Sequence, residues 1–201
     1  MRGLAIENSM EHTDLIFALA GEQHRKECAV KLWSEGFAPR LLLSVARFDI
    51  RRFSQLELPV QVDLLGMAAK LSASERHFFV FVEKEQVSVR TIPQIRFGTL
   101  REILALRTWL IDHPDIGFLL VVSSAFHLRR VRMCCHSLLP KHLRIAFLGT
   151  RSGMKWWKNA RLRSHVLTEL VKVPFYSLIL PLAKLGMAQD RSNPKKVNFP
   201  R

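Results

Sequence analysis

The sequence predicts an α/β fold in which a mostly parallel sheet lies between two layers of helices. Three observations carry this. Short apolar runs recur along the chain, most of them are followed by stretches with helical rather than alternating spacing, and 48% of the 201 residues are hydrophobic, enough for one sizeable core.

The elements follow in order. DLIFALAG, 14–21, is a continuously apolar run ended by glycine, as a strand buried on both faces requires. EQHRKECAVKLWSEG places Cys28, Ala29, Leu32 and Trp33 on one helical face and stops at Gly36. PRLLLS, 39–44, reads as a second buried strand and VDLLGMAAKL, 62–71, as a short helix. HFFVFVE, 77–83, is a strand, with VSVRTIP, 87–93, extended beside it or forming a hairpin arm. TLREILALRTWLIDH, 99–113, has apolar residues at helical spacing. IGFLLVVSS, 116–124, is a strand, AFHLRRVRMCCHSLL, 125–139, a helix, and LRIAFLG, 143–149, a last strand.

This alternation describes a doubly wound, Rossmann-like three-layer sandwich with a mostly parallel sheet and helices on both faces. It forms a single domain over 13–188, after an N-terminal extension at 1–12 and before a basic, disordered tail at 189–201. Ligands in such sheets bind beyond the carboxyl ends of the strands, which brings Gly21 to Arg25, Ser44 to Arg47 and Ser123 to Arg130 to one edge.

Within the domain, 165–188 is apolar but interrupted by Glu169, Lys172, Pro174, Pro181 and Lys184. Prolines break a spanning helix and the charges oppose insertion. A helix over about 160–173 packing on the sheet is expected, with FYSLILPL then covering an edge or resting on a membrane surface. Trp156 to Lys158 reads as a cleft rim, an interfacial anchor or core.

Net charge is +14, and its distribution is uneven. Residues 1–115 are balanced, whereas Ile116 to Thr168 hold ten Lys and Arg and no acid. Either an anionic partner (a phosphate-bearing ligand, an acidic lipid surface or nucleic acid) or a solvated basic face fits this. No recognised nucleic-acid reading motif is present, which argues against the last partner. Three cysteines without CxxC spacing read as reduced core residues. The first residues lack the apolar core of a signal peptide and no apolar run reaches spanning length, so a cytoplasmic protein, peripheral at most to the inner membrane, is expected. The eight histidines are scattered and no metal is indicated.

The stretch richest in chemistry is LLVVSSAFHLRRVRMCC, 119–135. If the strand ends near Val122 and the helix starts near Ala125, Ser123 or Ser124 caps the helix and its first-turn amides form an anion site. His127 then sits in the first turn, where the dipole favours neutral imidazole, a hydrogen-bonding or general-base group. Arg130, one turn on, can pair with phosphate or carboxylate. A capping serine, a partly buried histidine and solvated arginines satisfy the same spacing. Thr99 followed by Glu102 matches a capping box, with a ligand or catalytic role for Glu102 only if that helix start faces the same cleft. A single glycine in LAGEQHR does not make a dinucleotide fingerprint.

Taken together, LAGEQHRKECAVKLWSEGFAPRLLLS, RFGTLREILALRTWL and LLVVSSAFHLRRVRM resemble the YdcF-like, SanA and ElyC group of bacterial proteins, domain of unknown function 218, over about 13–180. The family's Ser/Thr-rich strand end, histidine and later arginine fall on Ser123, Ser124, His127 and Arg130. Its T-x-x-E falls on Thr99 and Glu102, and its early glycine and arginine on Gly21 and Arg25. LAGE replaces the family's double or triple glycine and SVARF its SGG, which puts side chains where a phosphate would approach bare backbone.

The resemblance implies a Rossmann-like fold, links to the cell envelope, peptidoglycan assembly and lipid carriers, and S-adenosylmethionine binding in one member. The residues then read as an anionic ligand held by Gly21, Arg25, Ser44, Thr99, Ser123, Ser124 and Arg130. His127 and Glu102 supply acid or base for hydrolysis or group transfer. A non-catalytic peripheral membrane factor is the alternative, and a nucleic-acid binder the third.

Overall fold

The structure, a computed structural model, describes residues 12–92, 98–150, 168, 172–176 and 178–181. Its six-stranded sheet runs in the order β4-β3-β2-β1-β5-β6. The strands are β1 Leu15–Ala18, β2 Arg40–Ala46, β3 His77–Glu83, β4 Gln86–Thr91, β5 Phe118–Ser124 and β6 Arg144–Thr150. The helices are α1 Gln23–Ser34, α2 Ile50–Phe53, α3 Leu64–Ala69, α4 Gly98–Ile111 and α5 Leu128–Leu138. The three-layer α/β sandwich is therefore present, with α2 a short addition that the sequence pattern does not announce.

β2, β1, β5 and β6 are mutually parallel, and β3 and β4 continue the sheet antiparallel. β1 is paired on both sides and covered on both faces, which is why LIFA carries no polar alternation. Successive strand residues feed two cores. Leu15, Phe17, Leu42, Phe79, Leu119 and Val121 pack under α4 and α5. Ile16, Ala18, Leu41, Leu43, Leu120 and Val122 pack under α1, α2 and α3. β3 and β4 form the hairpin arm anticipated from VSVRTIP, its two-residue turn closed by Lys84 with φ 54°.

α1 stops where expected, and the reason is local. Gly36 adopts φ 82°, its amide donates to Trp33 O, and the Phe37 amide donates to Leu32 O, the paired bonds of a Schellman ending. The chain goes from β1 through α1 to β2 on one side and from β5 through α5 to β6 on the other. The crevice between β1 and β5 at their carboxyl ends is therefore the topological switch point of the sheet.

Residues 172–176 and 178–181 are helical, so the FYSLILPL run continues a helix past 173 and does not leave it there. Tyr176 and Leu180 are buried in the α4–α5 core, so this run covers the domain, while Phe175 and Leu178 are exposed. No helix among the described residues is long and apolar enough to cross a membrane. Cys134 and Cys135 are buried free thiols and Cys28 is a half-buried one. The extension at 1–11, Trp156 to Lys158 and the tail lie outside the described residues.

Candidate functional site at the carboxyl edge of the sheet

The three segments expected at one edge do meet there, and a buried polar cluster fills the switch point. On the α1 side, Arg25 is the hinge. It is 4% exposed, its Nη1 donates to Ala20 O at 2.6 Å and its Nη2 to Ser124 Oγ at 2.9 Å, so one guanidinium joins the ends of β1 and β5. Gly21 has φ 115°, a conformation that favours glycine, and a Cβ there would meet Arg25 Nη1 at 3.2 Å.

Next to Arg25 lies Lys26, fully buried, with Nζ 3.0 Å from Asp49 Oδ2. That carboxylate oxygen also accepts the amides of Gly21 at 2.9 Å and Ala46 at 3.3 Å. Asp49 thus ties the β1–α1 loop to the β2–α2 loop. The Gly21 amide, expected to greet an anionic ligand, is already given to a carboxylate from the SVARFD loop. Burial lowers the pKa of both Arg25 and Lys26, and neighbouring Glu22, Glu102 and Asp49 oppose that shift.

The α4–α5 side holds the other half. Glu102, 5% exposed, accepts the Ala20 amide on Oε1 at 2.7 Å. This corrects the capping-box expectation: Thr99 lies inside α4, and the Glu102 carboxyl turns to β1 instead of back to its own helix start. Burial raises the Glu102 pKa against the opposing pull of Ser44, Ala20, Arg25 and Lys26. Ser44 Oγ lies 2.7 Å from His77 Nε2 and in polar contact with Glu102, and His77 Nε2 is 4.0 Å from Glu102 Oε1. Burial, reinforced by the Arg101 charge, pushes His77 down to about 3, so its ring is neutral. Arg101 itself donates to Ile92 O at 2.7 Å.

The SSAFHLRR segment differs from expectation in one respect. Ser123 and Ser124 are the last residues of β5 and cap nothing; Ala125 to His127 form a turn, and α5 opens at Leu128 with His127 as its flanking residue. The His127 amide is taken by Ser124 O. Two small buried serines prolong the strand because their hydroxyls point to opposite faces, Ser124 to Arg25 and Ser123 into the α4–α5 side. Ser123 Oγ is buried without a hydrogen-bond partner among the described residues. Arg130, 8% exposed, donates from Nη2 to His127 Nδ1 at 3.0 Å. Arginine only donates, so Nδ1 accepts and the imidazole lone pair is engaged, which makes His127 a hydrogen-bonding group rather than an open base. Tyr176 sits under the Arg130 guanidinium at 5.2 Å, in polar contact with Arg130 and Thr99.

The structure therefore brings Gly21, Arg25, Ser44, Thr99, Glu102, Ser123, Ser124, His127 and Arg130 to one edge, on both faces of the switch point. It adds Lys26, Asp49, His77, Arg101 and Tyr176, none of which the sequence reading singled out. His77 opens an antiparallel strand, so its amino end shares an edge with the carboxyl ends of the others. An open groove of about 720 Å³ runs from Leu128 along Arg129, Arg132 and Met133 to Leu180 and Pro181, adjoining the cluster at the start of α5. Compared with protein-family models, curated proteins and solved structures, the chain matches none.

Proposed function

We propose that the chain is a YdcF-like protein that takes a phosphorylated or nucleotide-like ligand at the carboxyl edge of the sheet. In this reading it acts as a hydrolase or group transferase linked to bacterial envelope metabolism. One observation supports this most. Leaving Arg130 aside, the buried cluster holds three cations, Arg25, Lys26 and Arg101, against two carboxylates, Asp49 and Glu102. Buried charge demands compensation, and an anionic group entering from the edge supplies it.

Ser123 Oγ, the Arg130 guanidinium and the Thr99 hydroxyl offer polar groups to such an anion on the α4–α5 side, and Glu102 is the acid–base group beside them. The cluster also suits the carboxylate of S-adenosylmethionine, whereas its sulfonium has to lie away from the cations. The test is thermal-shift screening with inorganic phosphate, nucleotides, sugar nucleotides, isoprenoid phosphates and S-adenosylmethionine, on wild type and His127→Ala. A ligand that raises the melting temperature of wild type only supports the site. No shift with any of them removes the proposal.

A second reading, docking on anionic membrane, draws on Phe175 and Leu178, 44% and 73% exposed beside Lys172 on a segment whose Tyr176 and Leu180 are buried. Flotation with anionic and neutral vesicles at low salt tests it. Binding to anionic vesicles that Phe175→Ser with Leu178→Ser abolishes supports it, and no flotation ends it.

A further inference from the structure

Ser44, His77 and Glu102 come from three different elements, β2, β3 and α4, yet converge on the α4–α5 face of the sheet edge. All three are buried, at 0%, 7% and 5% exposure. Such convergence has a cost in desolvation that a purely apolar packing at these positions would not carry. Satisfying the backbone does not explain it: the Ala20 amide needs one acceptor, and Glu102 alone provides that.

We propose that Ser44 and His77 form a proton relay that loads Glu102, with the tautomer of the His77 ring following the protonation state of Glu102. The proposal rests on the reading of Glu102 as the acid–base group of the site. The donors and acceptors fix how the relay works. When Glu102 is ionised, the Ser44 hydroxyl donates to the carboxylate, its oxygen accepts from His77 Nε2–H, and Nδ1 carries no proton. A proton then added at Nδ1 from solvent is balanced by transfer of the Nε2 proton to Ser44 Oγ and of the Ser44 proton to Glu102. The end state has Glu102 protonated and donating to Ser44, Ser44 donating to Nε2, and the ring as its Nδ1–H tautomer. One proton enters, one is held at Glu102, and the imidazole is neutral before and after. That suits a ring whose charged form is suppressed by burial.

The charged surroundings favour this division of labour. Arg101 from α4, Lys26 from α1 and Asp49 from the β2–α2 loop face His77. Glu102 faces Arg25 and Lys26 from α1 and Cys134 from α5. Positive neighbours oppose a standing imidazolium, while a carboxylate beside them can hold either state. The other histidine of the site, His127, has its Nδ1 lone pair directed at Arg130.

The experiment is long-range 1H–15N NMR of the histidine rings of the ligand-free full chain from about pH 4 to 9, the span in which a buried glutamate titrates. His77 is assigned by the loss of its signals in His77→Gln. The expected result is a change from the Nε2–H to the Nδ1–H tautomer as pH falls, lost in Glu102→Gln and in Ser44→Ala and restored in Ser44→Thr, which keeps the hydroxyl. A His77 ring that keeps one tautomer throughout, or switches identically in Glu102→Gln, overturns the relay. Either result leaves the thermal-shift screen to decide anion binding independently, because no ligand is present.

Discussion

Arg25 on α1 donates to the hydroxyl of Ser124 at the end of β5, 2.9 Å away and 99 residues later in the chain. The same guanidinium holds Ala20 O, so the two halves of the doubly wound sheet are joined at their switch point by one side chain. A charged residue placed there is a costly tie unless its charge is used, which is why the tie and the proposed ligand site are treated as one feature.

Replacing Arg25 by methionine leaves Ser124 Oγ and Ala20 O without this donor and removes a cation that Glu102 and Asp49 face. The expected loss is about 2–4 kcal/mol in urea unfolding, because buried acceptors are orphaned as well as a charge removed. Arg25→Lys is expected to recover little, since an ammonium cannot span both acceptors with the guanidinium's fixed fork. Equal stability of wild type and Arg25→Met would show that the tie is not made.

Lys26 and Asp49 form a buried pair whose members are unequally supported. Asp49→Asn strands a fully buried ammonium and is expected to cost about 3–5 kcal/mol, whereas Lys26→Met leaves Asp49 with the Gly21 and Ala46 amides and costs less. The double variant is expected to be more stable than the sum of the single losses implies, by about 0.5–3 kcal/mol. Additive losses in a double-mutant cycle would dissolve the pair.

His77 and Glu102 give stability opposite dependences on pH. The folded His77 value, about 3, lies below the unfolded 6.5. The stability it contributes is therefore present above pH 6.5 and lost as pH falls toward about 3, on the order of 5 kcal/mol at the limit. Glu102 is raised, so its contribution is present below the ordinary carboxylate range and declines as pH rises through its folded value. Unfolding free energies measured across this range are expected to fall less steeply on the acid side in His77→Gln, and less steeply toward neutral pH in Glu102→Gln. Curves parallel to wild type in both variants would contradict these shifts.

The layers of the fold were legible because buried strands and amphipathic helices carry different periods, and LIFA, LLVVSS and the Gly36 stop are each clear in isolation. The edge cluster was half legible. Ser123, Ser124, His127 and Arg130 announce themselves by following an apolar strand, and Glu102 by its place at a helix start. Lys26 and Asp49 did not, because a buried lysine looks like any solvated one until its partner from another loop is known. His77 was hidden by strand direction: a sheet read as parallel places the start of HFFVFVE at the wrong edge. The strand through Ser124 was legible, but a capping role for Ser123 or Ser124 stood beside it because serine at a strand end and serine at a helix cap look alike, and what decides between them is Arg25, distant in sequence.

The most direct test of the central claim is titration of the 15N-labelled chain with inorganic pyrophosphate, followed by backbone amide NMR. A ligand seated at the switch point is predicted to move the amides of Ala20, Thr99 and Ser123 to His127 at saturable concentration, and to lose that pattern in Arg25→Met. Perturbations confined to the exposed arginines of α5, or none at saturating probe, would contradict an anion site at the carboxyl edge.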